Sequence, residues 1–138
     1  MKTLHSAYRV SDLGRSLAFY RAIGYGEVGR VSLEDGATLV MLNLPGDGDI
    51  VTIELVHEPA AGPIAIGNGF SHIAVQVDDL AATLAGLDAQ GVAHEAIARP
   101  GGEAGAAVCN LRDPDGYTIE LVQWPPGHPD DMTSADFR

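Results

Sequence analysis

His72-Ile73-Ala74-Val75-Gln76-Val77-Asp78-Asp79-Leu80 lines up without a gap on His5-Ser6-Ala7-Tyr8-Arg9-Val10-Ser11-Asp12-Leu13. Eleven residues after each leucine comes a glycine, Gly24 and Gly91. The segments Thr52-Ile53-Glu54-Leu55-Val56 and Thr118-Ile119-Glu120-Leu121-Val122 are identical. His5 precedes Glu54 by 49 positions, and His72 precedes Glu120 by 48. Self-similarity at a fixed period marks one supersecondary unit used twice. A pseudo-twofold pairing of the two copies would gather two imidazoles and two carboxylates, a donor set suited to a divalent metal.

Each copy reads as βαβββ. Residues 3–10 form the first strand, and Ser11-Asp12 supplies the N-cap of a helix whose apolar positions are Leu13, Leu17, Phe19, Tyr20 and Ile23. Gly24 ends that helix as a residue free to adopt a positive φ. Strands near 26–33, 37–43 and 50–57 follow, separated by Glu34-Asp35-Gly36 and by Pro45-Gly46-Asp47-Gly48-Asp49. The second copy repeats the plan. Its strand runs over 70–77, Asp78-Asp79 caps a helix carrying Leu80, Leu84 and Leu87, and Gly91 ends it. Strands near 92–98, 105–111 and 117–123 complete it, with Asp113-Pro114-Asp115-Gly116 as the last turn. The predicted fold class is α+β, one domain over 1–138 made of modules 1–57 and 70–123, with a Pro/Gly-rich linker at 58–69. The tail 124–138 has no periodicity and is expected to be loosely ordered.

Alternation along the strands sorts the chemistry. His5, Ala7 and Arg9 share a face, as do His72, Ala74 and Gln76. Ile73, Val75 and Val77 lie opposite and pack under helices. Glu54 and Glu120 share faces with Thr52/Val56 and Thr118/Val122, while their Ile and Leu neighbours point the other way. All four candidate ligands therefore fall on the faces that the helices leave free.

Global properties exclude several classes. The chain has 138 residues and a formal charge of −11, with 46% hydrophobic and 20% charged residues, as expected of one globular domain. Its acidity argues against nucleic acid or an anionic membrane surface as partner. No apolar run approaches the roughly 18–20 residues of a membrane span. Met1-Lys2-Thr3-Leu4-His5 leads into polar sequence without a secretory pattern, and the single Cys109 permits no intrachain disulfide. Both features suit the cytoplasm.

The set His5, Asp12-Leu13, Phe19-Tyr20, Glu54-Leu55, Gly69-Phe70-Ser71-His72-Ile73-Ala74, Asp113-Pro114-Asp115-Gly116-Tyr117 and Ile119-Glu120-Leu121 resembles glyoxalase I, lactoylglutathione lyase of the vicinal oxygen chelate superfamily. The resemblance covers 3–123. It implies curved mixed sheets around a metal cavity and one metal held by His5, Glu54, His72 and Glu120. It also implies a homodimer whose sites lie at the subunit interface. The compact form, without an N-terminal extension, implies Ni2+ or Co2+, with Zn2+ able to bind. The implied substrate is a small molecule, the hemithioacetal of methylglyoxal and a thiol, isomerised to a 2-hydroxy thioester through an enediolate. Glu120 is the implied base, with Glu54 as its pseudo-symmetric partner. Arg9 is the implied anion contact for substrate.

The thiol side departs from glutathione-using members. Glu58 stands near the position where they carry Asn. Pro100-Gly101-Gly102-Glu103-Ala104-Gly105 stands where they carry a Lys. A related epimerase or isomerase on another 2-oxo or CoA substrate is the runner-up, although that branch carries Gln where this chain has Glu54. A metal-free resistance-type binding protein normally loses the four ligands. An Fe(II) dioxygenase with two His and one Glu would leave Glu54 surplus. His57, His94 and His128 read as ordinary polar residues, and Cys109 as a small buried hydrophobe.

Overall fold

The computed structural model describes Met1–Arg138 and contains two α-helices and seven strands in two mixed sheets. The chain divides into two compact units, Met1–Phe70 with Asp113–Tyr117, and Ser71–Arg112 with Thr118–Arg138. No helix is long and apolar enough to cross a membrane.

In the first unit, β1 (Ser6–Arg9) leads through α1 (Leu13–Ala22) to β2 (Gly26–Ser32), β3 (Thr38–Asn43) and β4 (Ile53–His57). The sheet order is β1-β4-β3-β2, with β1 parallel to β4 and the other pairs antiparallel. Asp12, rather than Ser11, caps α1: its side chain accepts from the backbone N–H of Arg15, while Ser11 hydrogen-bonds to Asp115. At the far end the N–H of Tyr25 reaches the carbonyl of Tyr20, and that of Gly24 reaches Arg21. This paired closure needs a left-handed residue, which Gly24 supplies at φ 107°. Leu17, Tyr20, Val40, Leu42, Ile53 and Leu55 form the core of the unit.

The Asp113–Tyr117 turn packs within this first unit. Tyr8 donates to the hydroxyl of Tyr20, which donates to Asp113 Oδ2 at 2.9 Å. Asp113 Oδ1 accepts from the backbone N–H groups of Asp115 and Tyr117, both at 2.9 Å, and the Tyr117 hydroxyl donates to the carbonyl of Arg9. Burial is the main force raising the Asp113 carboxyl above its ordinary value, against hydrogen bonds from Tyr20 and the turn that pull it down. Burial likewise pushes the Tyr8 and Tyr20 hydroxyls up, so both stay neutral donors.

The second unit has β5 (Ile73–Gln76), α2 (Leu80–Ala89), β6 (Ala107–Arg112) and β7 (Thr118–Gln123), in sheet order β5-β7-β6. Asp79 caps α2, and the N–H groups of Val92 and Gly91 close its end on Leu87 and Asp88 just as in α1. Leu80, Leu84 and Leu87 are buried, and α2 packs on β6 and β7.

The strand expected near 92–98 is not a continuous one. Two isolated antiparallel bridges, His94 to Leu111 and Ala98 to Val108, replace it. Four steps along this edge match only three along β6, so one extra residue interrupts the ladder, the geometry of a bulge. The Glu95 carbonyl takes up the slack: the Cys109 thiol donates to it at 3.1 Å and His94 Nδ1 lies 2.7 Å away.

The tail is also a correction. Trp124 Nε1 donates to Gln76 Oε1 at 2.9 Å, the N–H of Asp131 donates to the same oxygen, and Gln76 Nε2 donates to Asp130 Oδ1. A final 3₁₀ turn, Ser134–Phe137, is capped by Thr133. Periodicity predicts a loosely ordered tail because it carries no trace of one glutamine collecting three long-range hydrogen bonds.

Candidate functional site

Register fixes where the candidate ligands stand. Ala7 on β1 pairs with Glu54 on β4, and Ala74 on β5 pairs with Glu120 on β7. Cross-strand partners point to the same side of a sheet. His5 and His72 each lie one residue before their strand and one pleat from that alanine, so each imidazole meets the carboxylate of its own unit. The backbone makes the same construction twice.

The two pairs differ in detail. In the first unit His5 Nε2 lies 2.8 Å from Glu54 Oε2, with the side chains 21% and 14% exposed. In the second, His72 Nε2 lies 3.8 Å from Glu120 Oε1, beyond hydrogen bonding, with 40% and 26% exposure. Ser71 Oγ lies 2.8 Å from His72 Nδ1. That contact fixes the ring and leaves Nε2 toward the carboxylate, the arrangement by which an outer hydroxyl orients a ligating imidazole. In the sequence Ser71 stands only as part of the Gly69–Ala74 motif, and a hydroxyl beside a candidate ligand is the signal for this contact. Its counterpart beside His5 is Leu4, which is exposed.

Neither glutamate has a Lys or Arg within ion-pair distance; each has only its histidine. Half-buried carboxylates with no fixed cation are matched to a divalent ion. Each unit supplies one nitrogen and one carboxylate. Within the single chain, no group of three or more His, Cys, Asp or Glu side chains could hold a metal.

Arg9 falls on the His5–Glu54 face, as alternation requires, and pairs across the sheet with Val56. Its Nε lies 3.6 Å from Glu58 Oε2, and its Nη2 donates to the Gly62 carbonyl at 3.5 Å. Around it Leu39, Met41 and Val56 stand on the same side and are only partly covered, giving an apolar surface beside the polar pair.

The other polar residues stay ordinary. His94 pairs with Asp88 at 3.1 Å, and His128 with Asp136 at 3.0 Å. Cys109 is 1% exposed, and burial pushes its thiol up, away from reactivity.

Known proteins resemble this chain over nearly its whole length. The lactoylglutathione lyase of Haemophilus influenzae is 34% identical over 89% of this chain and 93% of its own length. That of Neisseria meningitidis serogroup B is 32% identical over 89% and 91%. Among solved structures, the trypanothione-dependent glyoxalase I of Leishmania major superimposes with a TM-score of 0.72 at 30% identity, covering 89% of this chain and 86% of that one. Glyoxalase I of Zea mays gives 0.77 at 25% identity, over 86% of this chain and 43% of that longer one. The family model of the glyoxalase/bleomycin resistance protein/dioxygenase superfamily matches residues 2–121, and the chain belongs to that superfamily.

Proposed function

We propose that this chain is a metal-dependent lyase of the glyoxalase I kind, isomerising the hemithioacetal of methylglyoxal and a thiol to a 2-hydroxy thioester. The observation that carries the reading is the His–Glu pair built twice at equivalent sheet positions, in a chain about one third identical to lactoylglutathione lyases over nearly its whole length.

His5, Glu54, His72 and Glu120 would hold one divalent ion, with Ni2+ or Co2+ favoured and Zn2+ accepted by the mixed nitrogen and oxygen donors. When bound, the ion supplies Lewis acidity toward the substrate oxygens on which negative charge develops. Each unit carries half of the donor set, which supports a homodimer in which a second copy completes each site. The single Cys109 suits the reducing cytoplasm as its compartment.

Proton transfer belongs to the carboxylates. The reaction removes a proton from C1 and returns it to C2, through an enediolate, so one base at the right distance serves both steps. Glu120 is the first choice of base by resemblance to the family, with Glu54 as its pseudo-symmetric partner; Glu120 is also the more exposed of the two. His5 and His72 hold and orient, and Ser71 keeps His72 turned. The apolar surface of Leu39, Met41 and Val56 excludes water beside the developing charge.

Arg9 is the contact for an anionic part of the substrate, with its charge shared by Glu58. This sharing supports a thiol other than glutathione. The test is the Ni-loaded chain with methylglyoxal and glutathione, other small thiols, or none, following thioester formation. Turnover with a thiol is expected. Absence of turnover with every thiol, at full metal occupancy, would overturn the lyase reading.

A further inference from the structure

We propose that Gln76 and Asp130 are specificity-determining residues, the tail forming a wall on the Glu120 face that disfavours an anionic thiol portion of the substrate. The inference rests on the lyase reading above and names what its site selects.

Register places the wall. Gln76 pairs with Val122 as Ala74 pairs with Glu120, so Gln76 stands one pleat along from the carboxylate and on the same side of the sheet. Gln76 is the hub of the tail. Its Oε1 accepts from Trp124 Nε1 and from the N–H of Asp131, both at 2.9 Å, and its Nε2 donates to Asp130 Oδ1 at 2.8 Å. Asp131 is the one non-glycine residue with positive φ, 66°, so the backbone takes an unfavoured conformation where it meets this side chain.

The rest of the tail braces that contact. The Trp124 and His128 rings stack at 4.3 Å and 15°, and His128 Nε2 lies 3.0 Å from Asp136 Oδ1. Val122, opposite Gln76, is buried, while His72 at the other end keeps 40% of its side chain accessible. Gln76 and Asp130 themselves stay exposed, so the tail lines the rim of this face rather than covering it.

Asp130 is exposed, and Gln76 holds its carboxylate on this face. The tail offers little to offset it: Arg138 is its only Lys or Arg, and that guanidinium donates to Ser134 Oγ. A carboxylate on the thiol portion would meet like charge, whereas an ammonium would be drawn to it. Between exposed unit charges about 7 Å apart, this is worth roughly threefold in affinity, and it fades at high salt.

The experiment uses the full metal-loaded chain and two probes. Binding of unreactive S-methylglutathione and S-methylcysteamine is measured by calorimetry, alongside kcat/KM for the hemithioacetals of methylglyoxal with glutathione and cysteamine. Asp130→Asn should raise the glutathione-to-cysteamine ratio about threefold at low salt, and less at 0.5 M. Gln76→Ala should raise it as well, and hydrogen exchange over 124–138 should report the released tail. A ratio unchanged in both variants, with turnover intact, overturns the wall and leaves the lyase standing. A shifted binding ratio without turnover of either adduct keeps the wall and removes the lyase.

Discussion

The His–Glu pair of the first unit and that of the second occupy equivalent sheet positions, yet one is closed and the other open. His5 and Glu54 are in hydrogen-bond contact, whereas His72 and Glu120 stand 3.8 Å apart with Ser71 holding the far nitrogen of the ring. Identical TIELV strands deliver both glutamates, so the strand does not set the difference. The residue just before each histidine does differ, Leu4 in one unit and Ser71 in the other, and Ser71 contacts its ring. Duplicating a backbone duplicates positions; roles diverge through the neighbours that orient each side chain.

The largest expected effect separates the two glutamates. Glu120→Gln should lower kcat by about 10³-fold, within the usual range for a lost general base. Glu54→Gln should cost less in kcat and more in metal affinity, since it removes a donor without removing the base. Single-turnover rates at saturating metal, set beside metal titrations, resolve the two effects. Equal losses in both variants would show that the open and closed pairs are chemically equivalent.

Ser71 gives the next contrast. Ser71→Ala should weaken metal binding by roughly 10-fold, since the imidazole then loses its outer partner. Leu4→Ala should leave affinity near that of the parent, and His5→Ala should lose more than either. A competition titration with a metal-binding dye measures all three. If Leu4→Ala weakens binding as much as Ser71→Ala, the Ser71 contact does not set the two imidazoles apart.

How much of this was legible in the sequence follows from the range over which each signal acts. The ligand pairs, both N-caps and both closing glycines repeat in register, so local pattern sufficed for them. Ile53, Leu55, Ile119 and Leu121 are buried as alternation requires. The segment 92–98 defeated the same rule, because a one-residue slip against β6 leaves no mark in a run as rich in alanine as Val92-Ala93-His94-Glu95-Ala96-Ile97-Ala98. In the sequence the tail and the Asp113 turn show only a loose end and a tight turn. Their ordering depends on Gln76 and Tyr20, partners about 50 and 90 residues away, and no local periodicity encodes such pairs.

The Asp113–Tyr117 turn tests a buried acid within the first unit. Tyr20→Phe removes the donor to a buried carboxylate and should cost about 1–3 kcal/mol. Asp113 is held above its ordinary pKa, so the folded state binds its proton more tightly than the unfolded chain does. Stability should therefore fall as pH rises from about 4 through that raised value, then level off. Asp113→Asn should abolish this part of the slope, seen as the difference in urea midpoints between parent and variant. A difference that stays constant between pH 4 and 7 would count against the turn as a buried acid latch.

The sheet edges give the smallest effect. In the first unit β2 pairs with β3 along its length, with a bulge between Glu27 and Gly29, and Arg30 donates twice to Glu27. In the second, the broken edge at 94–98 leans on His94, which contacts the Glu95 carbonyl and Asp88 of α2, with the Cys109 thiol of β6 beside it. The Glu95 carbonyl contributes most to raising the His94 pKa, and Asp88 adds to it. A histidine whose folded pKa is raised contributes stability fully below about 6.5 and loses it as pH climbs through the raised value. Parent minus His94→Gln should thus show a small advantage in Tm at pH 5.5 that shrinks by pH 8.5. No such pH trend is expected from Arg30→Gln over the same interval, because neither Arg30 nor Glu27 titrates there. A His94 difference as flat as that of Arg30 would mean that the broken edge is held by its backbone bridges alone.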